Sequence, residues 1–300
     1  GLVNLWSIPE EKEGENRADL QPVDRMRVEE KVVCLRWHPV ASALLAVALS
    51  NCIVELWTTS PTPTRHYILL SRSSSILSIA WSSSGRRLAT VAKDLELHVW
   101  RPQNSTEAPE SPRGARVLFA CDDSVLIVIG FTKSSARQIT LYNARSSSLD
   151  VLYKHVIDTA SQPLIPHYDF DSSVLFLSGK GDRMVSMFEV CRETPFLIQI
   201  NSFSAASGHQ AVAFHGKNVC SVMEVEFARA WRLTEKTLEL LRFRVPRVKK
   251  DVFQSDLFPD ALVTWEPATT AERWLHGDRT KPIFNCMRPE GVRSLAVPHS

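Results

Sequence analysis

The sequence lacks the features that mark several classes of protein. No stretch approaches the ~20 consecutive apolar residues that a membrane helix requires, and the first residues lack the basic start and apolar run of a signal peptide. The 35 basic and 33 acidic residues leave a formal charge of +2, without the positive field typical of nucleic-acid binding. We therefore expect a soluble, cytoplasmic protein with no transmembrane segment and no nucleic-acid partner.

Motifs for catalysis and cofactor binding are also missing. The six cysteines stand far apart without a CxxC pair, and the nine histidines form no HExxH motif, so no metal site is indicated. No GxSxG motif marks a nucleophilic serine, and Gly179–Asp182 departs from the phosphate-binding GxxxxGK[ST] pattern. The acidic pairs Asp122/Asp123 and Asp169/Asp171 suit turns. The sequence predicts no enzyme, no cofactor, no metal, and reduced, mostly buried cysteines.

What the sequence does contain is an internal repeat. Apolar runs separated by turns recur with a period in the low forties, and the units close on large aromatic residues. These closing aromatics are Trp57, Trp100, Tyr142, Phe188 and Trp231, at steps of 43, 42, 46 and 43 residues. Apolar and polar residues alternate within the runs, as in Leu95–Val99, which is the pattern of strands rather than helices.

A period of this length indicates a β-propeller built from four-stranded blades. Each blade presents apolar side chains on both faces, so only neighbouring blades arranged in a ring bury them all. Large aromatics bury the most area, so we expect Trp57, Trp100 and Trp231 to fill the space between adjacent sheets. Asp94 falls between a second and a third strand, where a tight turn favours aspartate.

The predicted architecture is an all-β propeller of the seven-bladed type over residues 1–244. We count five blades and a remnant at Gly1–Trp6, which reads as the third strand of a blade whose first strands would lie upstream. Closing the ring would take roughly two more blades of ~40 residues. The charged stretch Glu10–Asp19 and the Pro-, Ser- and Glu-rich residues 102–114 are predicted to be surface loops.

Residues 245–288 are predicted to form an extension that packs on the propeller, followed by a tail at 289–300. Four apolar residues have helical spacing, namely Ala268, Ala271, Trp274 and Leu275. Gly277 would end this helix. A helix this short is marginal alone, so its apolar side must pack against something.

Three segments resemble the coronin family of WD-repeat proteins. The first is Arg113–Arg116 followed by Gly130-Phe131-Thr132 and then Ala136–Tyr142. The second is the turn Gly179-Lys180-Gly181-Asp182, and the third joins Val245-Pro246-Arg247, Phe253–Asp260 and Ala271–Gly277. They occur in the family's order and spacing, and residues 245–260 are most similar to the second propeller of the long, two-propeller coronins. The structural signature of the chain is Trp57, Asp94, Trp100, Gly179, Gly181, Asp182, Trp231 and Trp274.

The resemblance implies a non-catalytic interaction scaffold that helps to organise the actin cytoskeleton, with actin filaments as a partner. For the long branch it also implies a link to the Golgi and vesicle trafficking, and a location at the cytoskeleton and the Golgi. An alternative is a WD-repeat adaptor that docks peptides or ubiquitin machinery without binding actin, because a fold alone does not choose its partners.

The candidate partner-binding residues form one basic cluster, which comprises Arg242, Arg244, Arg247, Lys249 and Lys250. Arg242 and Arg244 alternate along a predicted strand, so they share a face. The cluster would suit an acidic actin surface or peripheral association with an anionic membrane. Its alternative role is a solvated edge that discourages strand pairing.

Overall fold

The computed structural model describes residues 1–6, 22–70, 75–93, 97–101, 104–106, 115–146 and 148–295. Asp94, the predicted loop at Glu10–Asp19, most of the predicted loop at 102–114 and the end of the tail at 296–300 lie outside these residues. Nearly all of the described secondary structure is β-strand, with one short α-helix near the C-terminal end of the chain.

The strands form consecutive antiparallel sheets, each made mainly of chain neighbours, as in hairpin-connected strands. A first, two-stranded sheet pairs β1 (Leu2–Leu5) with β2 (Asp24–Arg27). Sheet A contains β3 (Val32–Trp37), β5 (Leu44–Leu49), β6 (Ile53–Thr58) and β7 (Thr64–Leu70), with the short β4 (Ala41–Ser42) after β3. Sheet B contains β8 (Ile76–Trp81), β9 (Leu88–Ala92), β10 (Leu97–Arg101) and β11 (Asn104–Thr106).

Three more sheets follow in the same order. Sheet C contains β12 (Arg116–Ala120), β13 (Val125–Phe131), β14 (Arg137–Asn143) and β15 (Val151–Asp158). Sheet D contains β16 (Leu164–Asp169), β17 (Val174–Gly179), β18 (Met184–Val190) and β19 (Leu197–Gln199), and β20 (Phe203–Ser204) also pairs with β18. Sheet E contains β21 (Ala211–Phe214), β22 (Glu226–Leu233) and β23 (Leu238–Arg244), with 3-10 turns at Lys217–Val219 and Val222–Glu224 between β21 and β22.

Apolar clusters join each sheet to the next. Leu56 of sheet A packs with Ile79 of sheet B, and Leu141 of sheet C packs with Phe188 of sheet D. The second strand Leu44–Leu49 is buried along its whole length, because the two faces of its sheet meet two different neighbours. Sheets packed face to face in chain order are the blades of a β-propeller, so the fold predicted from the repeat is confirmed.

The extension contains β24 (Ala261–Leu262), β25 (Thr269–Thr270), α1 (Ala271–Leu275) and β26 (Phe284–Asn285). It is attached to the propeller at both ends: Phe253 and Phe258 pack with Val222 and Val225 of the turns before β22, and β25 pairs in parallel with β4 of sheet A. All of these contacts lie at the end of the sheets where the first strand turns into the second. None of these extension contacts lies at the opposite ends of sheets C and D.

The predicted helix is present, but it begins only after Thr270, whose side-chain oxygen accepts a hydrogen bond from the Arg273 N–H. Within the segment predicted as a tail, Ser294 forms a parallel bridge with Phe253. The domain boundaries placed at residues 244 and 288 stay predictions, although β23 ends at Arg244.

Two predictions on strands need correction. Trp57, Trp100, Tyr142 and Phe188 all lie on the third strand of their sheets, but Trp231 lies on the second strand of sheet E and is 39% exposed. The third strand instead carries the buried Phe243, because the connection with the two 3-10 turns lengthens this repeat. In addition, Asn104–Thr106 of the loop predicted at 102–114 forms the fourth strand of sheet B.

Candidate interaction surfaces

The predicted basic cluster starts on an edge strand. β23 pairs with β22 on one side, and no strand among the described residues pairs with its other side. Arg242 and Arg244 point to the exposed face of this strand, whereas Leu241 and Phe243 point inward. The prediction that the two arginines share a face therefore agrees with the alternation seen in the structure.

Ion pairs divide the cluster into two groups. Arg244 lies 3.3 Å from Glu224, and Arg247 lies 2.5 Å from Asp256 in the extension, so each of these charges is partly neutralised. Arg242, Lys249 and Lys250 are exposed, and no carboxylate in the described part of the chain lies within 4.0 Å of them. We call these three residues the β23 patch, since they keep their charge available to a partner.

The turn Gly179–Asp182 links β17 to β18 as a tight turn. Gly181 has a φ of +86°, and a Cβ at Gly179 would lie 2.4 Å from Asp182 Oδ2, so both positions favour glycine. The Asp182 carboxylate accepts a hydrogen bond from Arg137 Nη1 at 2.8 Å. The turn therefore holds an aspartate against the preceding sheet, a role that the sequence pattern did not indicate.

Arg137 joins sheets C and D. Its guanidinium also donates two hydrogen bonds to Asp158 at the end of β15, and one to the Gln162 carbonyl at 3.3 Å. The side chain is almost fully buried, while both carboxylates keep partial contact with solvent. These hydrogen bonds hold the pKa of Asp158 below its usual range.

A second buried cation joins sheets D and E to the extension. Lys217 Nζ donates to Asp169 Oδ2 at 2.6 Å and to the Phe227 carbonyl at 2.5 Å, and lies 3.8 Å from Asp171 Oδ2. Asp171 in turn accepts a hydrogen bond from the Leu262 N–H at 2.8 Å. Burial raises the pKa of Asp171 to about 6. The two aspartates predicted only as turn residues thus surround a lysine far away in the sequence.

Trp274 attaches α1 to the junction of sheets A and B. Its ring lies 4.8 Å from that of His38 and 5.9 Å from that of Trp81, both in edge-to-face geometry. His38 Nδ1 accepts hydrogen bonds from the N–H groups of Val40 and Ala41, so its Nε2 donates to the Gly85 carbonyl at 2.9 Å. Burial lowers the pKa of His38 to about 4. The imidazole is therefore uncharged at neutral pH and serves as a packing group.

The predicted acidic turn Asp122/Asp123 also connects sheets. Residues 121–123 all have positive φ, and this left-handed turn directs Asp123 toward sheet B. Its carboxylate accepts hydrogen bonds from the Ser83 N–H at 2.7 Å and the Ser84 hydroxyl at 3.0 Å. Asp122 forms an ion pair with Arg192 of sheet D. Both carboxylates serve the contacts between blades.

An open cleft of about 400 Å³ lies between sheets C and D, lined by residues that include Cys121, Asp122, Phe170, Cys191 and Arg192. Burial raises the pKa of both thiols, so both are protonated at neutral pH and poor nucleophiles. All six cysteines are free, but Cys121 alone is buried and Cys286 is exposed, so the prediction of mostly buried thiols is wrong. Of the other five, Cys34 lies on the edge strand β3, and Cys52, Cys191, Cys220 and Cys286 lie in turns or connecting segments that leave them at least partly exposed.

No cluster of three or more metal-binding side chains occurs among the residues that the structure describes. Across the same residues, no helix has the length and apolar character to cross a bilayer.

Comparisons with known proteins place these features in a family. Residues 238–282 match a family profile described as a type of WD40 repeat. Human Coronin-7 is 37% identical over 98% of this chain, and Dictyostelium discoideum Coronin-A is 34% identical over 69%. The crystal structure of the WD40 domain of Toxoplasma gondii coronin superposes with a TM-score of 0.84 and 25% identity, covering 96% of this chain and 75% of that one.

The chain spans about a third of the length of the Coronin-7 relatives, 32% for the human protein, and 46% of Coronin-A. The segment matched by the repeat profile contains β23 and most of the extension rather than a complete blade.

Proposed function

This chain belongs to the coronin family of WD-repeat proteins, and on that premise we propose that it is a non-catalytic protein-interaction scaffold of the cytoplasmic actin cytoskeleton. Similarity to coronins over nearly the whole chain is the observation that carries this proposal. The physical argument agrees with it, because a propeller uses its large side chains between blades and leaves turns and edge strands to partners.

We place the contact with an acidic partner at the β23 patch. Arg242, Lys249 and Lys250 are exposed and lack a carboxylate within 4.0 Å in the described part of the chain, whereas Arg244 and Arg247 are partly neutralised. Exposed charges at the rim of an interface mainly raise the rate of association and make it sensitive to salt.

Cosedimentation with actin filaments at low and at physiological ionic strength tests the proposal, using the full-length protein. The triple replacement Arg242→Gln, Lys249→Gln and Lys250→Gln should lower the affinity for filaments about tenfold, because each exposed contact contributes up to about 0.5 kcal/mol. A matched control removes three exposed cations from sheets C and D with Lys133→Gln, Lys180→Gln and Arg183→Gln.

An equal loss in both triple variants would contradict the placement of the site. A full-length protein that does not pellet even at low salt would contradict direct actin binding, and would favour the adaptor that docks peptides or ubiquitin machinery.

We also propose that the protein couples this role to Golgi and vesicle trafficking. The support is the 37% identity to human Coronin-7 and the resemblance of residues 245–260 to the second propeller of long coronins. Imaging of the tagged full-length protein against Golgi and actin markers tests this, and a distribution that follows actin alone would contradict it.

A further inference from the structure

One rim of sheets C and D carries three exposed cations. Lys133 lies in the turn between β13 and β14, and Lys180 and Arg183 both lie in the turn between β17 and β18. We call these three residues the turn patch. Both turns join a second to a third strand, so they lie at the same end of their sheets, and the hydrogen bond from Arg137 to Asp182 holds them side by side.

The segments that carry the turn patch contain few carboxylates, and the exposed Glu235 lies in the β22–β23 turn at the same end of sheet E. Within residues 132–137, 156–166, 179–184 and 203–210, all of which the structure describes, the acidic residues are Asp158 and Asp182. Both are paired with Arg137. No ion pair within 4.0 Å engages Lys133, Lys180 or Arg183 in the described chain, so their charges are free to act on a partner.

Large aliphatic side chains are also exposed at this end of sheets C and D. Val156, Ile165 and Met184 are 56%, 49% and 47% exposed. Their positions follow from the strand register: Val156 pairs with Gln138 next to the first turn, and Ile165 pairs with Ser178 next to the second. Met184 follows Arg183 directly. Both exposed cations and exposed aliphatic groups therefore occur at this end of sheets C and D.

The rim is held rigidly and is accessible. Arg137 ties the end of β15 to the turn before β18, and the Gly181 N–H donates to the His209 carbonyl at 2.8 Å. The extension contacts the opposite ends of the sheets, at Asp171 and at β4. A partner can therefore approach this rim without displacing the extension.

We propose that this rim binds the surface of an anionic lipid bilayer. Headgroup phosphates and carboxylates attract the turn patch, while Val156, Ile165 and Met184 enter the boundary between headgroups and acyl chains. A bilayer accepts both kinds of side chain without a shaped pocket. An acidic protein surface would satisfy the cations but would have to supply matching apolar contacts for the three aliphatic residues.

Vesicle cosedimentation of the full-length protein tests the proposal, with phosphatidylcholine alone and with phosphatidylcholine mixed with phosphatidylserine. We expect binding only to the anionic vesicles, weakened by salt. Lys133→Gln, Lys180→Gln and Arg183→Gln together should lower it on the order of 100-fold, at about fivefold for each cation. The matched control, with Arg242→Gln, Lys249→Gln and Lys250→Gln, should bind like the wild type.

A second variant probes the apolar contacts. Ile165→Ser with Met184→Ser keeps every charge and should still lower binding several-fold, because the insertion of exposed aliphatic groups is lost. Since all of these side chains are exposed, the unfolding midpoints should match that of the wild type. The proposal is overturned if zwitterionic vesicles bind equally well, if only the β23 patch variant loses binding, or if the serine variant binds undiminished.

Discussion

Two buried cations join neighbouring sheets, and they are built from similar parts in different surroundings. Arg137 binds Asp158 and Asp182 between sheets C and D, and Lys217 binds Asp169 and lies near Asp171 between sheet D and the region before β22. The Asp158 side chain is 40% exposed, whereas that of Asp171 is 8% exposed.

The degree of solvation explains why the carboxylates behave differently. Hydrogen bonds from Arg137 keep the pKa of Asp158 low, while burial raises the pKa of Asp171 to about 6 despite the nearby lysine. A buried charge is stabilised less by its partner than it loses by leaving water, unless other hydrogen bonds compensate. Removing the cation should therefore cost more at Lys217 than at Arg137.

Lys217→Met gives the largest expected effect. It leaves Asp169 and Asp171 next to each other in a nearly dry site without their cation, and breaking a buried pair in this way costs about 3–5 kcal/mol. The free energy of unfolding from urea denaturation measures the loss. Lys281→Met, at an exposed position of the extension, is the control and should change stability by less than about 0.5 kcal/mol. A loss in Lys217→Met no larger than that in Lys281→Met would contradict the expected cost of leaving two buried carboxylates without their cation.

The second prediction concerns pH. Asp171→Asn keeps the oxygen that accepts the Leu262 N–H but cannot ionise. Because the folded-state pKa of Asp171 is raised from 3.8 to about 6, the wild type binds an extra proton when folded, and this residue's contribution improves as pH falls through 6 toward 4. The stability of the variant relative to the wild type should therefore fall by up to about 3 kcal/mol over that window.

The comparison must be differential, because other groups titrate in the same window with the opposite sign. Burial lowers the pKa of His38 and of His167 to about 4, so their contributions to stability are lost as pH falls from 6.5 toward 4. Wild type and variant share both histidines, and urea denaturation of each at several pH values isolates Asp171. A difference that stays constant with pH would show that Asp171 is ionised to the same extent in the folded and unfolded chain.

The sequence predicts much of the fold because the inner strands have a strong pattern. The runs Val125–Phe131 and Val174–Gly179 are buried on both faces, so they appear as continuous apolar segments bounded by turns. The sequence pattern does not locate the fourth strands of these blades, since strands such as Val151–Asp158 lie at the outer edge and mix exposed with half-buried residues. The shift at Trp231 arose from an irregular connection that a fixed period cannot represent.

The candidate surfaces were only partly predictable. Five nearby basic residues form a visible cluster in the sequence, but whether each is free depends on carboxylates such as Glu224 and Asp256 that only the folded chain brings close. The turn patch has no signature in the sequence. Lys133 and Lys180 lie 47 positions apart, and no local pattern connects them before the sheets are stacked.

The smallest expected effect tests why sheets C and D use an arginine. Arg137→Lys keeps the charge but removes the planar group that reaches Asp158 with two donors and Asp182 with a third. We expect a loss of about 1–2 kcal/mol in the free energy of unfolding, since one or two charge-assisted hydrogen bonds are lost while partly hydrated carboxylates recover water. Arg183→Lys, an exposed replacement next to Asp182, should leave the free energy of unfolding unchanged. An Arg137→Lys protein as stable as the wild type would mean that charge alone joins these sheets, which would make the two junctions equivalent in mechanism.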